Sequence, residues 1–186
     1  MTLPRTARRP RSRDSNGIAL ITGGAGFVAT NVADRLLRDG WRVRILDNLS
    51  RPGVEQNVRW LQSQHGHRVD VQVGDVRDRP AVSAALRDAS RVFHFAAQVA
   101  VTTSLVDPFL DFDVNARGTL NVLEAVRACA EPPSLLFTST NKVYGHLDDV
   151  KLVRGERRYQ PADAVLGARG IAEDRSLEIR LISAKQ

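Results

Sequence analysis

Two features of this sequence have the residue types and spacing to hold a phosphate-bearing ligand. One is the nearly bare stretch Gly23-Gly24-Ala25-Gly26, and the other is Asp47, 21 residues beyond Gly26. Gly23 permits a turn through backbone angles closed to other residues. Gly26 removes a Cβ at the point where a pyrophosphate must approach the backbone. A helix beginning near Phe27 would aim its free N–H groups and its positive end at that pyrophosphate. The spacing Gly23-x-x-Gly26-x-x-Ala29 departs from the G-x-G-x-x-G dinucleotide fingerprint, with Ala29 as the accepted substitute for the third glycine. A carboxylate at Asp47 can accept two hydrogen bonds from an adenosine ribose and repels the extra phosphate of NADP, which favours NAD. Arg51, four residues on, would instead accommodate that phosphate.

These residues need a strand before the glycines and a second strand ending at the acid, and the flanking pattern supplies both. Gly17 to Thr22 is a short apolar run that stops in glycines, as a buried strand does. A helical stretch follows to Asp39, with Val28, Val32 and Leu36 at i, i+4 and i+8 and Gly40 as its stop. Arg42 to Asp47 is the second strand. Strand, glycine turn, helix, strand predicts a βαβ unit with parallel strands and a right-handed crossover. The alternation continues through a weak helix at Val54 to His65 and a third strand at Val69 to Val73. Pro80 opens a helix containing Val82, Ala85 and Leu86. Arg91 to Phe95 forms a fourth strand. Pro108 opens a long helix with Phe112, Ala116, Leu120, Leu123 and Val126 on one face, and Leu135 to Thr140 makes a fifth strand. The fold class expected is α/β, a doubly wound parallel sheet of the Rossmann-like kind.

Composition bounds the rest. The chain has 186 residues, of which 42% are hydrophobic and 26% charged, enough for one ordinary core. No apolar run approaches the roughly 20 residues that span a bilayer. With one Cys there is no internal disulfide and no all-Cys metal site. A cytoplasmic, non-membrane protein is expected. The net charge of +6 is concentrated at the start, where residues 1–16 hold five Arg against Asp14. This stretch lacks apolar periodicity and reads as a basic disordered tail. An anionic-surface or nucleic-acid arm and a transit peptide are weaker readings, because Arg is favoured along the whole chain.

Six motifs in order give the sequence a family likeness. They are Thr22-Gly-Gly-Ala-Gly-Phe27, Leu46-Asp-Asn-Leu-Ser50, Gly74-Asp75-Val76, Phe95-Ala-Ala-Gln98, Asn115-Ala-Arg-Gly-Thr-Leu-Asn121 and Ser139-Thr-Asn-Lys-Val-Tyr-Gly145. Together they resemble the extended short-chain dehydrogenase/reductases, in particular the NAD-dependent nucleotide-sugar epimerases and dehydratases. The Asn141-Lys142 pair is most similar to CDP-paratose/CDP-tyvelose 2-epimerases. The resemblance covers Gly17 to Gly145 and marks 17–145 as an NAD-binding domain. It implies that Gly23, Gly26, Phe27 and Val28 hold the pyrophosphate and that Asp47 and Asn48 hold the adenosine ribose. Asp75 and Val76 would border the adenine, and Ala96, Ala97 and Gln98 would line the cofactor. Asn115 would tie the long helix to the central strands. Thr140 would be the catalytic hydroxyl that hydrogen-bonds the sugar hydroxyl being oxidised. The substrate implied is a nucleotide-sugar, with a CDP-sugar favoured.

The departure from the family pattern is equally specific. The family's general base is a Tyr in Tyr-x-x-x-Lys, whose Lys lowers the Tyr pKa. Here Tyr144 is followed four residues later by Asp148, and Tyr159 by Asp163. Tyr144 reads as a packing residue. The expected domain therefore lacks its second half and substrate lobe, as in a truncated or frameshifted product. Residues 146–186 are read as incomplete or poorly ordered, with only Ser176 to Ser183 hinting at order. Such a chain would bind NAD with little or no turnover. A non-catalytic NAD-sensing or partner-binding module is the alternative. A third reading is a non-functional fragment that folds poorly, whose exposed sheet edge and apolar faces would invite aggregation or pairing with another chain. A homo-oligomer is counted among the partners.

Other signals carry less. Ser139-x-x-Lys142 lacks the partner motifs of a serine β-lactamase. His65 and His67 are too few for a metal site and read as a solvated loop. His94 reads as a satisfied core residue and Cys129 as inert packing. Gly118 inside the long helix points to close helix–sheet packing.

Overall fold

A computed structural model describes residues 16–99, 101–139 and 147–172. The chain divides between Thr138 and Ser139 into two compact units. The first unit alternates strands and helices: β1 (Ile18–Thr22), α1 (Phe27–Arg38), β2 (Arg42–Asp47), α2 (Val54–His65), β3 (Val69–Val73), α3 (Arg79–Leu86) and β4 (Ala89–His94). After these come α4 (Val101–Val106), α5 (Pro108–Phe112), a π-helical turn (Asp113–Arg117), α6 (Gly118–Arg127) and β5 (Ser134–Phe137). The five strands form one parallel sheet in the order β3-β2-β1-β4-β5. Chain order reverses between β1 and β4, and in such sheets a crevice opens there beyond the strands' carboxyl ends.

The period of two in β1 explains why both faces are covered. Ala19 and Ile21 join Ala29, Ala33, Leu37, Val43, Ile45 and Leu61 in a core under α1 and α2. Leu20 points the other way, into a second core with Leu46, Val82, Leu86, Val92 and Val122. Each fully buried Leu, Ile or Val contributes roughly 1.5–3 kcal/mol. Thus β1, central in the sheet, supplies both layers. Arg44 is the polar exception on β2. Its side chain pairs with Asp70 at 2.7 Å and donates to the carbonyls of Ala85 and Arg87.

The predicted strands and the helices following β1, β2 and β3 all form, with differences that have physical causes. On α1 the buried stripe is Ala29, Thr30, Ala33, Leu36 and Leu37. Val28, expected on that stripe, is 59% exposed because it sits in the first turn, beside the cleft described below rather than over the sheet. The long helix after Pro108 is interrupted by the π-helical turn, which takes an extra residue into one turn. Beyond it Gly118, Asn121 and Val122 are buried and Val126 packs against the second core as expected, whereas Phe112, Leu120 and Leu123 of the expected stripe are exposed. β5 ends at Phe137, short of the expected Thr140, which lies outside the described residues. His65 is not in a loop. It ends α2, its side chain is only 8% exposed, and its Nε2 lies 2.8 Å from Asp34 Oδ1.

In the second unit, where the sequence pattern specifies no element, β6 (Leu152–Arg154) and β7 (Tyr159–Pro161) pair antiparallel. A short helix, α7 (Ala164–Arg169), follows, capped by Asp163. The stretch 176–183 lies outside the described residues. Among the described residues, no helix is long and apolar enough to cross a membrane.

Candidate cofactor cleft

The carboxyl ends of β1, β2, β3 and β4 surround a cleft of about 360 Å³. Its floor is the glycine turn. Gly23 takes φ +66°, and a Cβ there would lie 2.7 Å from Ala96 N and 2.8 Å from Ala96 Cα. The turn is thus pressed against the β4 exit, and only glycine fits. Gly26 is different: its φ is −70°, an ordinary value, and its added Cβ would meet only the Gly23 carbonyl oxygen at 3.2 Å. The space on its other side is free for a ligand. Gly26 also caps α1, with no side chain bonding the cap and no acid in the first turn. The first N–H groups of α1 therefore remain available to an anion. Phe27 is 82% exposed, and neither its side chain nor that of Val28 lines the cleft. Their contribution to an anion site is confined to backbone N–H groups.

Asp47 and Asn48 line the wall at the end of β2. Asp47 Oδ2 accepts the Ala25 N–H at 3.0 Å, and Oδ1 accepts the Leu49 N–H at 2.8 Å. The same carboxylate that faces the cleft thereby fastens the glycine turn to β2, while keeping lone pairs on both oxygens. It also holds Leu49 at φ 53°, a left-handed conformation costly for a branched side chain. Asn57 on α2 completes the grip by donating to the Ala25 carbonyl at 2.8 Å.

Asp75 and Val76 close the side beyond β3. Asn48 Nδ2 donates to Asp75 Oδ2 at 2.9 Å, and Arg77 donates to Asp75 through its backbone and its guanidinium. The Arg77 side chain is the main reason that the Asp75 carboxyl titrates well below the ordinary carboxylate range. Val76 is held from behind. Asn121 Nδ2 donates to the carbonyls of Val76 and Arg77, each at 3.0 Å, and Gly118 lets α6 approach so closely that a Cβ would lie 2.7 Å from Val76 Cγ2.

Ala96, Ala97 and Gln98 form the opposite wall. Asn115, on the π-helical turn, does not line the cleft. Its Oδ1 accepts the Gln98 N–H at 2.8 Å, so the residue ties the helix to the segment after β4. Nine of the twelve cofactor-site residues read from sequence thus line one cleft: Gly23, Gly26, Asp47, Asn48, Asp75, Val76, Ala96, Ala97 and Gln98. Thr140 lies outside the described residues. Sequence reasoning misses Val54 and Thr103 as lining residues and Asn57 as a clamp. None belongs to a glycine or acid pattern, and only the folded chain brings them near.

The residues present fit a dinucleotide. The cleft combines a backbone free of Cβ atoms, an open helix N-terminus and, across from them, a carboxylate with spare lone pairs. Among the described residues there is no cluster of three or more metal-ligating side chains.

A family model described as GDP-mannose 4,6 dehydratase matches residues 20–164. The chain is 41% identical to a CDP-paratose 2-epimerase of Salmonella typhi over 77% of its own length and 43% of the relative's. It is 34% identical to a UDP-glucose 4-epimerase of Yersinia pestis over 72% of this chain and 40% of the other. Among solved structures, a UDP-glucose-4-epimerase of Stenotrophomonas maltophila with bound NAD and formylated UDP-arabinopyranose aligns at TM-score 0.65 and 31% identity, covering 72% of this chain and 40% of that one. The UDP-glucose 4-epimerase complex with NAD from Thermus thermophilus aligns at TM-score 0.62 and 36% identity, covering 77% and 44%. The chain spans about two fifths of the length of the curated relatives it matches.

Proposed function

Because the chain belongs to the family whose model is described as GDP-mannose 4,6 dehydratase, we propose that residues 17–145 bind NAD as the cofactor domain of a nucleotide-sugar epimerase or dehydratase. The observation that carries this reading is the meeting of Gly26, the open end of α1 and the Asp47 carboxylate around one cleft. In this reading the pyrophosphate lies against Gly23 and Gly26, where no Cβ intervenes and N–H groups point outward. The adenosine ribose is held by Asp47 and Asn48, and the adenine lies along Asp75 and Val76. Bound NAD supplies hydride acceptance from a sugar carbon. The chain's own residues orient it: the 96–98 wall supports the cofactor, and Asn115 fixes that wall through Gln98. A 2′-phosphate is disfavoured by the Asp47 charge, although Arg51 shares the cleft.

The substrate class proposed is a nucleotide-sugar. The Salmonella typhi relative supports a CDP-sugar, and Thr140 is the residue proposed to meet the hydroxyl being oxidised. The sequence has no Tyr-x-x-x-Lys. A positioned proton acceptor is worth roughly 10²–10⁴-fold in rate, so the 186 residues bind the cofactor with little or no turnover of their own. Self-association is supported by the apolar exposed residues Phe109, Phe112, Leu120 and Leu123 along α5 and α6.

Calorimetric titration with NAD and NADP tests the reading. NAD binds more tightly than NADP, and Asp47→Ala weakens NAD at least about tenfold, about 1.4 kcal/mol. No heat of binding for NAD up to millimolar concentration overturns it, and CDP-sugar epimerisation by this chain overturns the prediction of no turnover.

A further inference from the structure

His94 is almost fully buried, at 2% exposure, on the last residue of β4. Its ring nitrogens have definite partners. Nδ1 lies 2.6 Å from Thr22 Oγ1, and Nε2 lies 2.9 Å from Thr119 Oγ1. The direction of every proton follows from one fact. Thr119 Oγ1 lies 2.6 Å from the Asn115 carbonyl oxygen, which can only accept, so the Thr119 hydroxyl proton is committed there. Thr119 can then only accept from the ring, and His94 carries its proton on Nε2. A neutral imidazole has one N–H, which leaves Nδ1 bare to accept from the Thr22 hydroxyl. Burial supports the neutral form by pushing the His94 pKa down to about 4. Thr22 Oγ1 in turn accepts the Ala96 N–H at 3.4 Å.

Followed to both ends, these bonds return to the same piece of chain. One end is the Ala96 N–H, bonded to Thr22. The other is Asn115, whose carbonyl oxygen takes the Thr119 proton and whose Oδ1 accepts the Gln98 N–H at 2.8 Å. Ala96 and Gln98 bracket the cleft wall, and Thr22 directly precedes Gly23. We propose that His94, locked as its Nε2–H tautomer between Thr22 and Thr119, is a positioning residue that sets the 96–98 wall of the cleft and the register of that wall against the glycine turn. This inference rests on the reading of the cleft as an NAD site. A satisfied core histidine would need partners, but not partners whose chains of bonds close on the two ends of one lining segment.

The test combines a spectroscopic readout with two variants of the intact chain. Ring ¹⁵N shifts of His94 at pH 7 are expected to show Nε2 protonated and Nδ1 bare; the opposite tautomer overturns the inference whatever the chain binds. Thr119→Val keeps the shape and removes the acceptor and donor, and it is expected to weaken NAD about tenfold and to broaden or shift the His94 signals. Thr119→Ser restores the hydroxyl, and with it both the wild-type affinity and the tautomer. Thr22→Val, read in the same two ways, gives the same pattern from the other side of the ring and stands in if Thr119→Val does not fold. If the Val variants melt earlier but bind NAD as the wild type does, His94 is structural only and the inference fails alone. If the wild type binds no NAD, the cofactor reading fails first and takes this role with it.

Discussion

Gly26→Ala separates binding from stability more cleanly than any other change in the cleft, because the structure gives this position almost no reason to resist a methyl group. The backbone is already at φ −70°, ψ 163°, and the new Cβ meets only the Gly23 carbonyl at 3.2 Å, a contact relieved by a shift of a few tenths of an ångström. Replacing glycine at a helix cap costs about 0.5–1 kcal/mol. The loss of unfolded-state freedom returns about 0.4–1 kcal/mol. The net is within about 1 kcal/mol, or roughly 2–4 °C in melting temperature for a chain of this size. The methyl group nevertheless stands where a pyrophosphate must touch backbone, so NAD affinity falls at least about tenfold. Gly23→Ala is the control with the opposite signature. It combines φ +66° with a Cβ only 2.7–2.9 Å from backbone atoms of Phe95 and Ala96. Left-handed strain and overpacking together cost roughly 2–5 kcal/mol, a fall of roughly 5–15 °C. Thermal melts and NAD titrations on the same preparations decide. If Gly26→Ala binds NAD like the wild type, the glycine turn is not a diphosphate cradle; if affinity and melting temperature fall in proportion in both variants, the distinction drawn between the two glycines is wrong.

Three further outcomes follow from the same contacts. Burial lowers the His94 pKa from 6.5 to about 4, so the unfolded chain takes up a proton that the native one refuses. Stability is therefore complete above about pH 6.5 and falls as pH drops toward 4, by on the order of 3 kcal/mol; urea midpoints at pH 7 and 4.5 show this fall in the wild type and a smaller one in His94→Gln, and a flat wild-type profile contradicts it. Asp75 titrates below its ordinary 3.8, chiefly because of the Arg77 side chain, so its contribution is present above pH 3.8 and lost as pH falls below it. Asp75→Asn accordingly lowers the urea midpoint more at pH 6 than at pH 2.5, and an equal loss at both refutes the pairing as its cause. Gly118→Ala gains up to about 1 kcal/mol of helix propensity but sets a methyl group 2.7 Å from Val76 Cγ2. It destabilises by roughly 1–2 kcal/mol, and the added change Val76→Ala recovers part of that loss; strictly additive effects in the double variant would show that the two do not collide.

The parts of this molecule that sequence makes legible are those where one residue's chemistry suffices. A parallel strand buried on both faces reads as an apolar run, so β1 is visible from Ile18–Thr22 without reference to the rest of the chain, whereas β2, Arg42–Asp47, carries two Arg and an Asp and is legible from its place between the Gly40 stop and the acid. The glycine turn is visible because positive φ and a missing Cβ leave only one residue type. What stays hidden depends on pairs. The face of α6 is legible only in part: Val126 packs inward as its spacing suggests, but Leu120 and Leu123 do not, and nothing within Asp113–Arg117 announces the extra residue that its π-helical turn takes in. Around it the helix makes two tertiary contacts that no local pattern shows: Asn115 accepts the Gln98 N–H, and Gly118 closes on Val76. Asn57 and Thr119 are illegible for the same reason, since an Asn in a weakly amphipathic helix and a Thr in a strongly helical stretch have no local signature of their partners Ala25 and His94. Asp47 lies between the two cases. Its distance from Gly26 points to a ribose, but its hold on the Ala25 and Leu49 N–H groups means that the same carboxylate shapes the floor it faces. Removing it therefore unfastens the diphosphate cradle as well as the ribose contact. The loss in Asp47→Ala should then exceed that in Asp47→Asn, which keeps one oxygen to accept a backbone N–H, even though both abolish the charge.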